Sequence, residues 1–415
     1  MSIRNTYPTI RPSLNLDFAR SRTLDPRITF SRTTTGTYMD SDGLIKVASA
    51  DEARFDHRYV NGQLESLGLL VEESRSNLFT RSDIEGTVGT QPIGMNLAGT
   101  GSGQSAVVST DYYVGTNEQS CKHTRGTSGD NNVGYFGASV SANINYAFSA
   151  WVYIPESQAS NFSGKYIKFF MENTHNSRTS ADADTSIVGR WQRVFGVANV
   201  PANNAGGGTL TSQTWVCRTD AANGSFFYTD AWQLEAGSFS TSYINAEGGS
   251  SKTRNHDSVS MEGDNFSDWY NPTEGTIVLD CTPVYDNSSY QYRRLVSIHN
   301  NSGSQTDVIQ FIQTEASNQV SSAVWDGSSF QTGFGKTLLS GTRYKVAFAV
   351  KENNMNASYD GSIGTDDTSA TLPVMTEMDI GSYTQFSSTR ATTHYNSLRY
   401  YPRRLSNSQL QNLTK

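Results

Sequence analysis

Hydrophobic residues recur in short alternating runs, separated by clusters of Gly, Asn, Ser and Asp. Alternation of period two over five to nine residues predicts half-buried strands. Such runs occur at Tyr146–Ile154, Lys165–Met171, Trp191–Val197, Gln213–Cys217 and Phe226–Leu234. They recur at Thr276–Cys281, Arg294–His299, Val308–Gln313, Ser321–Trp325, Arg343–Val350 and Asn396–Tyr401. The turns between them, such as Asn203 to Gly208 and Asn223-Gly224, are polar and glycine-bearing, as β-sandwiches require. Two hairpins are predicted near the start: Thr37–Met39 with Leu44–Val47, and Phe55–Val60 with Leu67–Val71 around Asn61-Gly62. A single helix is expected at the end, where Ser406 and Gln409 have capping-box spacing and Leu405, Leu410 and Leu413 supply apolar contacts.

The pattern divides the chain into an N-terminal segment 1–80, a jelly-roll-like sandwich 81–247, a linker 248–264 at Gly248-Gly249-Ser250-Ser251, and a second sandwich 265–415. The expected class is therefore all-β, tandem β-sandwiches after an irregular, hairpin-rich segment. The prolines of Tyr7-Pro8, Arg11-Pro12 and Asp25-Pro26 break helices in the first segment. It has few large apolar residues, so Leu14, Leu16, Phe18, Ile28 and Phe30 are expected to bury against a partner. No period of 20–50 residues marks a solenoid.

Composition sharpens this reading. Charged residues are 17% and hydrophobic residues 36% of 415, too polar for long helices packed on a large core. The net charge of −7 disfavours nucleic acid as a partner. Residues 1–35 carry six arginines against Asp17 and Asp25, a net +4 on an otherwise acidic chain. Arg11, Arg20 and Arg27 are thus candidates, with Leu14, Leu16, Phe18 and Phe30, for docking on an acidic partner surface. No apolar run of transmembrane length is present, so no membrane insertion is expected. Without an apolar run behind Met1–Arg4, synthesis in the cytoplasm without export is expected.

Catalytic constellations are sparse. Cys121, Cys217 and Cys281 are odd in number and scattered, which fits free thiols. The six histidines show no zinc-ligand spacing. Glu72-Glu73 are adjacent, so on a strand they point to opposite faces and cannot act as a facing acid and base; ion pairs with Arg75 or the basic arm fit better. Asp182 with Asp184, and Asp366 with Asp367, could lend oxygens to calcium but form no complete loop. No cofactor is expected. Sugar rings stack their apolar C–H faces on exposed aromatics while amides and carboxylates bind the hydroxyls. Tyr285, Tyr290 and Tyr292 in a polar turn region, with Trp325 beside Asp326, are the candidates for such contacts.

Several phrases carry a family likeness. Pro12-Ser13-Leu14-Asn15-Leu16-Asp17-Phe18-Ala19, Leu24–Arg32, Ala53-Arg54-Phe55-Asp56 and Gly68–Leu78 resemble the start of many tailed-phage and prophage structural proteins. Trp232-Gln233-Leu234-Glu235-Ala236-Gly237, with Thr241-Ser242-Tyr243-Ile244, is similar to the last strand of a carbohydrate-binding-like jelly roll in such proteins. Trp269–Thr276 and Arg399–Ser406 resemble the two ends of their concanavalin-like (laminin-G-like) module. The resemblance implies a virion-surface fibre or spike, of tail or head, that could present its sandwiches to host-surface glycans. By analogy it implies a homotrimer whose N-terminal segment meets other virion proteins. A purely architectural decoration protein is the alternative, and a polysaccharide depolymerase a weaker one.

Overall fold

The computed structural model describes residues 7–415 except 98–101, 128–131, 173–179, 201, 203–211, 285–291, 302–306, 315–317, 328 and 384–388. The architecture is all-β, with antiparallel sheets throughout the strand ladders. The described helices are short, and none is long and apolar enough to cross a membrane. The C-terminal helix Asn407–Leu413 has the expected cap. Ser406 accepts from the Gln409 backbone, and the Gln409 side chain accepts from the Ser406 N–H.

The chain forms two compact units, each drawn from segments far apart in sequence. The first comprises Met1–Thr34, Ala48–Ser74 and Asn255–Lys415, the second Thr35–Val47 and Arg75–Arg254. This differs from the expected division. Residues 1–80 are not a segment of their own, and 248–264 is not a linker. Lys252–Arg254 pairs with Arg75–Asn77 in the second unit, while Ser258–Glu262 is a strand of the first. Local polarity resembled a linker because both strands are short and carry few apolar residues.

The first unit is a sandwich of an eight-stranded and a seven-stranded sheet. The eight-stranded sheet runs Ser362–Ile363, Asn356–Tyr359, Tyr344–Lys351, Glu274–Val284, Thr392–Tyr401, Gln63–Val71 and Arg54–Val60; Leu14–Asp17 also pairs with Thr392–Tyr401. The seven-stranded sheet runs Thr29–Ser31, Ser258–Glu262, Glu377–Ile380, Tyr292–His299, Val308–Thr314, Gln319–Asp326 and Ser329–Thr337. Between them lie Ile277, Leu279, Phe348 and Leu398 from one sheet, and Val296, Ile298, Phe311 and Val324 from the other.

The N-terminal residues are part of this core. Leu14 faces Tyr400 in register, and Leu14, Leu16 and Phe18 are buried in it, with Ile28 and Phe30 packed alongside. They therefore do not await a partner. Their alternation completes a strand on the chain's own sheet, and the hydrophobic gain is realised within one chain. Of the expected docking arginines, Arg27 forms a two-point pair with Asp25, while Arg11 and Arg20 stay exposed.

The second unit packs a four-stranded sheet on a five-stranded one. The first runs Asn132–Ser139, Ser212–Thr219, Ile167–Glu172 and Ser180–Asp182. The second runs Trp191–Asn199, Asn145–Tyr153, Phe226–Ala236, Ser120–Thr124 and Ser105–Ser109. Its core is an aromatic cluster in which Phe79, Phe148 and Phe169 meet the Trp232 ring edge to face at 5.0–6.4 Å. Both early hairpins form: Gly36–Met39 with Ile45–Ala48, and Arg54–Val60 with Gln63–Val71. Asn61 and Gly62 both take positive φ, 49° and 83°, which is why Asn-Gly marks this turn.

Candidate functional site

Two aromatic surfaces stand out, one on each unit. In the first unit, the strands Val308–Thr314, Gln319–Asp326 and Ser329–Thr337 bring Trp325 opposite both Val308 and Phe330. The Trp325 and Phe330 rings meet edge-on with centroids 5.3 Å apart, and Phe330 is 55% exposed. Gly333 makes this possible: a Cβ there would lie 2.7 Å from the Phe330 ring. Polar groups surround the pair. Asp307 accepts from the Gly327 N–H at 2.7 Å and from Asn300 at 2.6 Å. Asp326 accepts from the Thr371 hydroxyl, and Gln331 accepts from the Thr371 N–H at 3.3 Å.

Of the candidates read from sequence, the structure joins Trp325 and Asp326 here and adds Phe330, which the reading missed. Tyr292 is elsewhere. It pairs with Thr314, at the far end of the ladder in which Val308 meets Trp325, roughly 20 Å away at strand rise. Tyr285 and Tyr290 lie outside the described residues.

The second surface is the outer face of the five-stranded sheet, and the sequence reading did not find it. Phe148, Ala150 and Val152 face the core, so alternation turns Trp151 and Tyr153 outward. Register aligns Trp191, Tyr153, Tyr228 and Lys122 across four strands; Trp191 and Tyr228 are buried there in a small apolar cluster with Ile45, Val114 and Tyr243. Tyr112 stacks on Tyr153 at 4.3 Å and meets Tyr228 edge-on at 5.1 Å. Tyr153 meets Trp191 at 5.4 Å, and the Lys122 ammonium sits 4.2 Å above Phe226. Burial beside Tyr112 pushes the Tyr153 hydroxyl up to about 12. Phe195, on the same face, is 68% exposed. The buried Trp151 indole N–H has no hydrogen-bond partner among the described residues. A usable signal was Trp-x-Tyr at 151–153 with Trp191, an aromatic set on the outward phase of two paired strands.

The acidic candidates are absorbed structurally. Glu72 pairs with buried Arg54 at 2.7 Å, and Glu73 with Arg293 at 2.8 Å. Asp257 joins Arg32 at 3.1 Å and Arg54 at 2.6 Å. Asp184 binds the Ser186 hydroxyl and N–H; Asp366 binds Asn356, Asn407 and Arg404. Among the described residues no group of three or more His, Cys, Asp or Glu side chains converges as a metal site would require. The three cysteines are free and buried.

No family model and no curated protein matches the chain. Among solved structures, it is similar to the Ruminococcus gnavus IT-sialidase CBM40 bound to α2,3-sialyllactose, with 14% identity and a TM-score of 0.30 over 35% of this chain and 83% of that one. The NanB sialidase of Streptococcus pneumoniae gives 12% identity and a TM-score of 0.31 over 37% of this chain. A Trypanosoma rangeli sialidase gives 13% and 0.31 over 38%. The chain spans about a quarter of the length of both sialidases, 26% and 25%. Scores at this level assign neither family nor function.

Proposed function

We propose that the chain is a sugar-recognising structural protein of a tailed-phage particle, a fibre or spike that performs no catalysis. The observation that carries sugar recognition is the stacked pair Tyr112 and Tyr153, backed by buried Trp191 and Tyr228, with exposed Phe195 on the same sheet face. Aromatic faces offer the apolar surface that pyranose C–H groups cover, and tyrosine hydroxyls suit sugar hydroxyls. The Trp325–Phe330 pair, ringed by Asp326, Asp307 and Gln331, has the same chemistry on the other unit.

The particle role rests on the sequence likeness of Pro12–Ala19, Gly68–Leu78, Trp232–Gly237 and Arg399–Ser406 to phage structural proteins. In this reading the protein sits on the virion surface as a homotrimer. Since Leu14, Leu16 and Phe18 are committed to the core, attachment to other virion proteins falls to surface groups such as Arg11 and Arg20. The test is a glycan array probed with the full chain and with Tyr153→Ala and Phe195→Ala variants. Binding that weakens in these variants supports the reading; no glycan bound, or binding unchanged in both, overturns it.

A further inference from the structure

Among the described residues, the buried arginines of the first unit are paired, with one exception. Arg32 and Arg54 share Asp257, and Arg54 also holds Glu72. Arg294, on the strand Tyr292–His299, is only 2% exposed, yet its guanidinium has no hydrogen bond or ion pair among the described residues, and its Nε is fully buried. A buried guanidinium without an anion is unstable relative to a paired one.

The surroundings repeat the pattern. Ser297 and Gln310 face each other in register on neighbouring strands, and the Ser297 Oγ and Gln310 Oε1 are buried without partners. The Ser382 Oγ and Arg390 Nε are unpartnered too, and Arg390 is bridged to Arg294 through the backbone. Asp379, opposite Ser297 on the next strand, is hydrogen-bonded by His299 Nε2 at 3.1 Å. The groups acting electrostatically on Arg294 are the hydroxyls of Tyr383 and Tyr292, not a carboxylate. Burial draws Arg294 down to about 10, so it remains charged at neutral pH. Tyr292 precedes it by two residues, hence shares its strand face, and is 56% exposed. The patch therefore offers a cation with no anion among the described residues and, two residues along the strand, an exposed ring.

We propose that Arg294 is the anion-binding group of a ligand site on the outer face of the seven-stranded sheet, which takes the carboxylate of an acidic sugar. The carboxylate pairs with the guanidinium, and the sugar ring lies against Tyr292, two residues along the same strand face. The site deepens the sugar-recognition reading by naming a substrate class, and it uses none of the residues on the five-stranded sheet.

The experiment titrates the full chain at low salt with methyl glucuronide, methyl glucoside and inorganic phosphate. It then repeats the titrations with Arg294→Met and Tyr292→Ala. The expected result is glucuronide binding at least about tenfold tighter than glucoside, lost in Arg294→Met and weakened in Tyr292→Ala. Tyr292 is exposed, so its variant stays folded and reads the site even where Arg294→Met does not express. Equal glucuronide affinity in wild type and either variant overturns the proposal. So does binding of phosphate without glucuronide, or of none of the three. Neutral glycans captured on the array and lost in Tyr153→Ala would then leave the broader reading standing while this site falls.

Discussion

Asp83 and Asp230 converge on Gly115 inside the second unit: a Cβ built on Gly115 would lie 2.9 Å from Asp83 Oδ1 and 3.0 Å from Asp230 Oδ2. Asp230 accepts from the N–H groups of Val114, Gly115 and Ala231, and Asp83 accepts from Tyr243 and Thr116. Burial, then the neighbouring Asp83 charge, pushes Asp230 up to about 8, and burial raises Asp83 as well.

This pair predicts a pH dependence of stability. Folded Asp230 retains its proton where the unfolded chain has lost it, between the ordinary value of 3.8 and about 8. Its contribution is therefore fully present below the unfolded value and is lost as pH rises through the folded one. Thermal melts from pH 5 to 9 should show falling stability, and Asp230→Asn should flatten the slope. A variant with an unchanged slope would refute the assignment. Gly115→Ala should destabilise by about 1–3 kcal/mol, through the clash with both carboxyls.

Asp257 is the shared anion of Arg32 and Arg54, all three buried. Asp257→Ala strips both guanidinia of a partner. Loss of about 3–5 kcal/mol is expected in chemical denaturation. A loss below about 1 kcal/mol would mean that Glu72 and the backbone carbonyls of Ser49 and Glu52 suffice.

Truncation tests the interleaved architecture. Removing residues 1–21 deletes Leu14, Leu16 and Phe18 from the first core, each worth about 1.5–3 kcal/mol. The truncated chain should lose cooperative melting of the first unit. A fragment 265–415 lacks Leu14–Asp17, Thr29–Ser31, Arg54–Val60, Gln63–Val71 and Ser258–Glu262, and should not fold. A soluble fragment with a sharp transition would contradict the unit boundaries.

Phe330 is largely exposed, so Phe330→Ala should change stability by less than about 0.5 kcal/mol while altering Trp325 fluorescence. Replacement of Gly333 by Val should displace the Phe330 ring and reproduce the spectral change.

Strand identity, the Asn61-Gly62 hairpin and the Ser406 cap were legible from sequence, because each depends on neighbours within about ten residues. Alternation names the strands, positive φ names the turn, and the Ser-x-x-Gln spacing names the cap. Partnership was not legible. Leu14-x-Leu16-x-Phe18 reads the same whether its strand completes another chain or pairs with Thr392–Tyr401, nearly 400 residues on. Nor does local pattern show that Tyr292 and Trp325 sit at opposite ends of one ladder, or that Trp151, Tyr153 and Trp191 share an outward face. Register fixes those relations, and register is set by the whole sheet closing over its core. For the same reason Arg294 looks like any strand arginine in sequence; only the packed sheet leaves it buried with no anion among the described residues.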